Sequence, residues 1–455
     1  MIVATPNSDI TKDFLDLFDQ NSDQILGSGT SYINDIRRQA LRNFEGKGIP
    51  SNKIEDYKYT NLEPYFKNTY NKYFEPRKMD FDINDVFKCD VPELDTDTII
   101  LLNGFYFDKK NPLIELGKGA IIGSFSEAGK KYPELIEKHY SKYASTENEG
   151  LVALNTAFAQ DGLFLYVPDN VVVEKPIQII NMMMSDENIM AQYRNLIVLG
   201  KNAQITLIVC DHTLSPHKFL TNSVSEIYLG DNSKLNYYKV QNENNDATQI
   251  SNTYIHQERD SKVSSSIITL HGGLVRNNIF VSLNGEGCDS NITGLFFADK
   301  AQHVDNYTFI DHKAPHCTSN QLFKGVLDDL ASGAFNGKIM VRPDAQKTIA
   351  YQKNNNILLS NDVKMNSKPQ LEIYADDVKC SHGATSGQLD EDALFYMRSR
   401  GVNEKEAKLL LMHAFTKEVI SHLDIIPLQE RIDNMVNQRL RGELSRCNNC
   451  PVHCC

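Results

Sequence analysis

Leu199-Gly200-Lys201-Asn202-Ala203 and, 30 residues on, Leu229-Gly230-Asp231-Asn232-Ser233 follow one plan: an apolar residue, glycine, a charge, asparagine, then a small residue. Leu116-Gly117-Lys118-Gly119-Ala120 repeats the plan with glycine in the fourth place, and Asn284-Gly285-Glu286-Gly287-Cys288 is a looser copy off that spacing. Gly and Asn tolerate positive φ, which a sharp corner demands. A small residue next fits a crowded inner position.

Between the corners, from about Thr96, lie runs rich in Val, Ile, Leu, Tyr and Thr, such as Gln204–Cys210, Leu235–Val240, Val263–Leu270 and Asn278–Leu283. Each is strand-sized. An imperfect repeat of strand plus corner predicts coils stacked into a β-helix. A β-sandwich also has many short strands and frequent turns, so the repeats alone leave both architectures open. No long helical pattern interrupts the region, which argues against a doubly wound α/β fold.

Outside this region the period is helical. Ile33, Ile36, Ala40, Leu41 and Phe44 share one face, and Gly46, Gly48 and Pro50 stop that helix. Lys53 to Tyr73 carries five tyrosines without a clear period. After Gly387, Asp390 is a good N-cap for a helix holding Leu394, Phe395 and Met397, closed by Gly401. Asn403 with Glu406 forms a variant capping box ahead of the stripe Ala407, Leu410, Leu411, Ala414, Phe415 and Val419. Pro427 opens a third helix through Ile432, Met435, Val436 and Leu440. This three-helix unit reads as a cap on the strands or as a docking surface.

The chain has 455 residues, 41% hydrophobic and 23% charged, with a formal net charge of -12. That balance is ordinary for a globular protein and disfavours general affinity for nucleic acid or anionic membrane. Met1 to Asn7 shows no signal-peptide pattern, and no apolar run is long enough to span a bilayer. Of nine cysteines, Cys89, Cys210, Cys288, Cys317 and Cys380 stand singly and four crowd the last nine residues. This usage predicts a reducing, cytoplasmic compartment.

The sequence contains no P-loop, no G-x-S-x-G elbow, no H-E-x-x-H helix and no dinucleotide fingerprint. Three polar clusters could carry chemistry instead. In Asp311-His312-Lys313-Ala314-Pro315-His316-Cys317, two His and one Cys could hold a soft or borderline metal, or merely turn the chain between strands. In Asp376-Asp377-Val378-Lys379-Cys380-Ser381-His382-Gly383, Cys380 and His382 would share one side of a strand. A thiolate beside an imidazole can ligate iron or accept sulfur, although two ligands need others from elsewhere. The alternative is a packed Cys and a satisfied His. The tail supplies Cys447, Cys450, His453, Cys454 and Cys455, a density suited to zinc or an Fe–S cluster but without the partner half of a zinc motif.

The tract Leu371-Glu372-Ile373-Tyr374-Ala375-Asp376-Asp377-Val378-Lys379-Cys380-Ser381-His382-Gly383-Ala384-Thr385, extended by Leu394-Phe395-Tyr396-Met397-Arg398-Ser399-Arg400-Gly401, resembles the SufB/SufD family of scaffold subunits in SUF iron–sulfur cluster assembly. Asn155-Thr156-Ala157-Phe158, Asp161-Gly162, His312, Pro315, His316, Ser319 and Phe323-Lys324-Gly325 are similar to it too. Glu55-Asp56-Tyr57-Lys58-Tyr59-Thr60 resembles a family motif that usually carries Trp where Tyr57 stands. The Lys379-to-Thr385 run favours the SufD side of the family over SufB. The cysteine-rich tail departs from the family pattern.

The resemblance implies a mainly β fold, a right-handed parallel β-helix core flanked by N-terminal and C-terminal α-helical domains. The boundaries expected are 1–95 for the N-terminal helical domain, 96–386 for the core, 387–446 for an ATPase-docking helical domain and 447–455 for the tail. It further implies a non-catalytic subunit that pairs with SufB, or with a second copy of itself in isolation, and receives the ATPase SufC. The chain itself would bind no nucleotide. A transient Fe–S cluster or iron would be handled at the SufB–SufD contact, with His382 at the matching family histidine and Cys380 at a nearby cysteine. A metal-delivery protein, a purely structural β-helix partner and a polysaccharide-cleaving β-helix enzyme are the rival expectations.

Overall fold

The computed structural model describes residues 8–77 and 94–443. The chain alternates between two sheets, one of 11 strands and one of 10, so that successive strands face each other and alternate ones pair. From Ile177 onward all pairing within these sheets is parallel, giving a β-solenoid of about seven turns.

Register explains how the turns hold together. Ile197, Ile227, Ile255, Val281, Ile310, Ile339 and Leu371 stack in one file, each partnered with the next. All face a shared core between the sheets. Because side chains alternate along a strand, a slip of one residue would turn the whole file outward.

The corners stack as well. Asn202, Asn232, Asp260, Gly287, His316 and Lys347 occupy equivalent corner places, all at positive φ. The N–H of Asn202 donates to Asp231 O in the next coil, Asn232 to Arg259 O and Asp260 to Glu286 O, each at 2.8 Å. The Asn202 amide donates to Asn170 at 2.7 Å, and the Asn232 amide to Asn202 at 2.8 Å. Gly285 is needed for approach rather than for φ, since a Cβ there would lie 2.0 Å from Arg259 N.

One copy of the corner plan is not a coil corner. Gly117-Lys118-Gly119-Ala120 joins the antiparallel strands Leu113–Gly117 and Ala120–Ser124. Lys118 and Gly119 both have positive φ, as a two-residue hairpin requires, so the two turn types share their residue chemistry. Three helices also interrupt the early strands: Phe125–Lys131, Pro133–His139 and Gly150–Phe158. The first two are 7 residues long, and every residue of the third is buried, so none offers a one-sided apolar stripe.

The helices Ser8–Gln20, Ser31–Lys47 and Gly150–Phe158 build a second core with Met190, Leu220, Ile250 and Leu274 of the 11-stranded sheet. Buried Arg276 anchors the polar stretch that follows Ser31–Lys47. Its guanidinium lies 3.8 Å from the Tyr57 ring centre, donates to Asp56 O at 2.7 Å and pairs with Asp305. Thr60 bonds His303 at 2.8 Å and also donates to Asp305.

The C-terminal helices Glu391–Ser399, Glu404–Ile420 and Ile426–Arg441 follow the last strand. Asp390 caps the first and Asn403 the second. The second and third pack on the outer side of the 10-stranded sheet through a third core. Lys324 there donates to Phe415 O at 2.8 Å, and Arg439 to Leu270 O at 2.9 Å. Among the described residues, no helix is long and apolar enough to cross a membrane.

Candidate functional site

The last coil is built like the others but lacks a neighbour. Its strands Lys364–Ile373 and Lys379–Gly387 pair on one edge only, with Ser332–Val341 and Ile349–Leu358 respectively. The strand Lys379–Gly387 is exposed along nearly its whole length, whereas earlier coils are mostly buried. Ile373 and Tyr374 add exposed apolar surface at the same end. Long free edges are sites of strand pairing, and this end leaves its backbone groups open to it.

Cys380 and His382 lie on this free strand, two residues apart and on one side. Cys380 is in register with buried Ala350 and packs against the inter-sheet core. Burial raises its thiol above the ordinary range. His382 is exposed, in register with Gln352. The file running to it, Ile292, Gln321, Gln352, His382, changes from apolar to polar toward the open end.

Other polar groups gather beneath that end. Thr308 donates to Gln321 at 2.6 Å, Ser367 to Asn354 at 2.6 Å, and the Asn356 amide to Asn354 at 2.9 Å. Gln352 is buried, yet neither end of its amide has a partner among the described residues. An unpaired buried amide is costly, so one lying a single rung below the free edge invites a group brought in from outside. Sequence reasoning missed Gln321, Gln352 and Asn354. Gln321 and Gln352 stand one coil apart and Asn354 two residues further on, a signal that needed the register to be known.

The cluster around His312 does not converge. His312 is fully buried, bonds Ser319 at 2.8 Å and is pushed down to about 4 by burial. His316 is an exposed corner residue and Cys317 is buried in the core. Among the described residues no three His, Cys, Asp or Glu side chains are grouped to hold a metal. The tail candidates Cys447, Cys450, His453, Cys454 and Cys455 lie outside the described residues. Cys288 and Cys317, read singly in the sequence, are neighbours in space; the Cys288 thiol hydrogen-bonds toward Cys317, lowering Cys317 and raising Cys288.

The other resembling tracts brace the fold. Asn155 donates to Tyr193 O at 2.9 Å and Asn222 O at 2.7 Å, tying its helix to two strands. Asp161 accepts from Tyr106 N at 3.1 Å and Ser124 Oγ at 2.8 Å. Away from the core, Phe395 and Tyr396 are 73% and 59% exposed on a helix with no buried residue.

The sequence matches two family profiles. Residues 8–179 match the SufBD protein N-terminal region, and residues 182–415 the SufBD core domain of SUF system FeS cluster assembly. An iron–sulfur cluster assembly SufBD family protein of Synechocystis sp. is 30% identical over 92% of this chain and 94% of its own length. The iron–sulfur cluster assembly protein SufD of Escherichia coli is 29% identical over 89% of this chain and 92% of its own. That of Bacillus subtilis is 26% identical over 90% and 94%. With the two-sheet solenoid and its flanking helices, these matches establish that the chain belongs to the SufBD family of iron–sulfur cluster assembly proteins and is SufD-like.

Proposed function

We propose that this chain is a non-catalytic scaffold subunit that pairs with a SufB-type paralogue through its open last coil, and that iron and sulfide are assembled at that contact. The observation that carries the reading is the free edge Lys379–Gly387, with Cys380 and His382 on one side of it above the unpaired amide of Gln352. The cluster is cargo. Cys380 and His382 supply a thiolate and an imidazole, and the partner completes the ligand set.

The C-terminal helices offer a docking surface in Phe395 and Tyr396 for a SufC-type ATPase. Closure of two ATPase copies would pull on the helical regions of both scaffold subunits. The strain would part the two edges and expose Cys380 and His382. Nucleotide chemistry belongs to the ATPase, and this chain contributes to iron loading.

The test is anaerobic reconstitution of the co-purified complex with iron and sulfide. His382→Ala and Cys380→Ala should leave the complex assembled and impair cluster formation. Wild-type cluster yield from His382→Ala would remove it from the site and favour a purely structural partner. Truncation after Gly442 separates this reading from metal delivery by the tail: cluster yield should survive the deletion.

A further inference from the structure

We propose that Cys288 and Cys317 form a two-sulfur site for one soft monovalent cation of the Cu(I)/Ag(I) class, held between consecutive coils. The two residues occupy the same corner position one coil apart. Asp289 is in register with Thr318, and Thr318 N–H donates to Cys288 O at 2.8 Å. Both side chains are buried.

The neighbouring coils show what this position ordinarily does. Ser233, Ser261 and Thr348 each donate to the carbonyl three residues earlier, at 2.7, 2.6 and 2.9 Å. Cys288 keeps that habit, with Gly285 O at 3.1 Å. Cys317 bonds Pro315 O of its own corner at 3.5 Å and also reaches the same Gly285 O, in the previous coil, at 3.3 Å. The two sulfurs therefore converge on one oxygen. Glu258 O lies 3.1 Å from Cys288.

Carbonyl dipoles aimed at a pair of sulfurs disfavour two bare thiolates and favour a cation between them. Parallel neighbours in register stand about 4.8 Å apart. Both thiols are free. An ion bonded to each sulfur at about 2.3 Å spans the gap. No third ligand joins them among the described residues, which suits soft cations content with two sulfurs rather than four-coordinate zinc. On binding, Cys317 releases its thiol proton to solvent; thiolate, thiol and monovalent cation together are neutral.

The probe is Ag(I), titrated into the full-length protein under anaerobic conditions. Native mass spectrometry counts the ions, and thermal unfolding reads their effect. The wild-type midpoint should rise by at least about 2 °C, because the paired sulfurs of the folded coils hold the ion more tightly than the separated thiols of the unfolded chain. Cys288→Ser and Cys317→Thr should each lose one equivalent and the rise; they copy Ser261 and Thr348, which the same position already accepts. A variant with Cys447, Cys450, Cys454 and Cys455 all changed to serine should keep the rise. In that variant, X-ray absorption at one equivalent should find two sulfur neighbours. A midpoint rise that survives Cys288→Ser, no rise in the wild type, or nitrogen or oxygen around the ion means a hydrogen-bonded thiol pair only, and overturns the proposal.

Discussion

Replacing Tyr57 by alanine should loosen the segment before Phe66 from the solenoid. The Tyr57 ring is 2% exposed and lies over the guanidinium of Arg276, which is itself fully buried. Removing a buried aromatic ring from a packed site costs about 3–5 kcal/mol. Roughly 2 kcal/mol of that is the desolvated cation–π contact. Tyr57→Trp keeps a ring face over the guanidinium and should cost less than about 1.5 kcal/mol, the overpacking being offset by the stronger contact. Native-state hydrogen exchange across residues 54–66 is the assay, because it reads local opening without requiring the whole chain to unfold in one step. A double-mutant cycle with Arg276→Met should return a coupling of at least about 1 kcal/mol. A loss below about 1 kcal/mol for Tyr57→Ala, or no coupling to Arg276, would refute the anchor.

Three further outcomes rest on other buried or exposed groups of the fold. His312 is held neutral by burial, with its pKa pushed down to about 4, while in the unfolded chain it protonates near 6.5. Protons therefore favour the unfolded state, and stability should fall by about 2 kcal/mol between pH 7.5 and 5 through this residue; urea titrations at both pH values should show a smaller fall in His312→Asn. Glu226→Gln should destabilise by about 3–5 kcal/mol in denaturant unfolding. It strands buried Arg194, paired at 2.6 Å, and weakens acceptance from Ser141, Tyr143 and Ala144 N–H. The double change Phe395→Asp and Tyr396→Asp should leave the melting temperature unchanged yet weaken ATPase binding at least about tenfold in calorimetry, as loss of an aromatic docking patch would.

The β-helix was legible because its corners need rare backbone geometry, and Asn202 and Asn232 announce it. Asp260, Gly287, His316 and Lys347 meet the same need with a different residue each time and off the 30-residue spacing, which is why the repeat faded beyond Asn232. Gly119 misled for the converse reason, since a hairpin demands what a coil corner demands. Cys380 and His382 were placed together by strand alternation alone, a local rule. The proximity of Cys288 and Cys317, and the gathering of Gln321, Gln352 and Asn354, depend on which coil lies above which. Coils of unequal length hide that from any fixed period. The short and fully buried helices between Phe125 and Phe158 lacked the half-wet pattern by which helices are recognised.

The two ends of the solenoid are unlike, and this limits how far such a molecule can polymerise. At the beginning, each sheet finishes in antiparallel strands, Leu113–Gly117 in one and the two-residue Phe105–Tyr106 in the other, which give an incoming parallel coil no template. Among the described residues, only the Lys364–Gly387 side ends in parallel strands with a free edge. Two such subunits joined edge to edge would use up that face, leaving no second parallel edge among the described residues from which a fibre could grow.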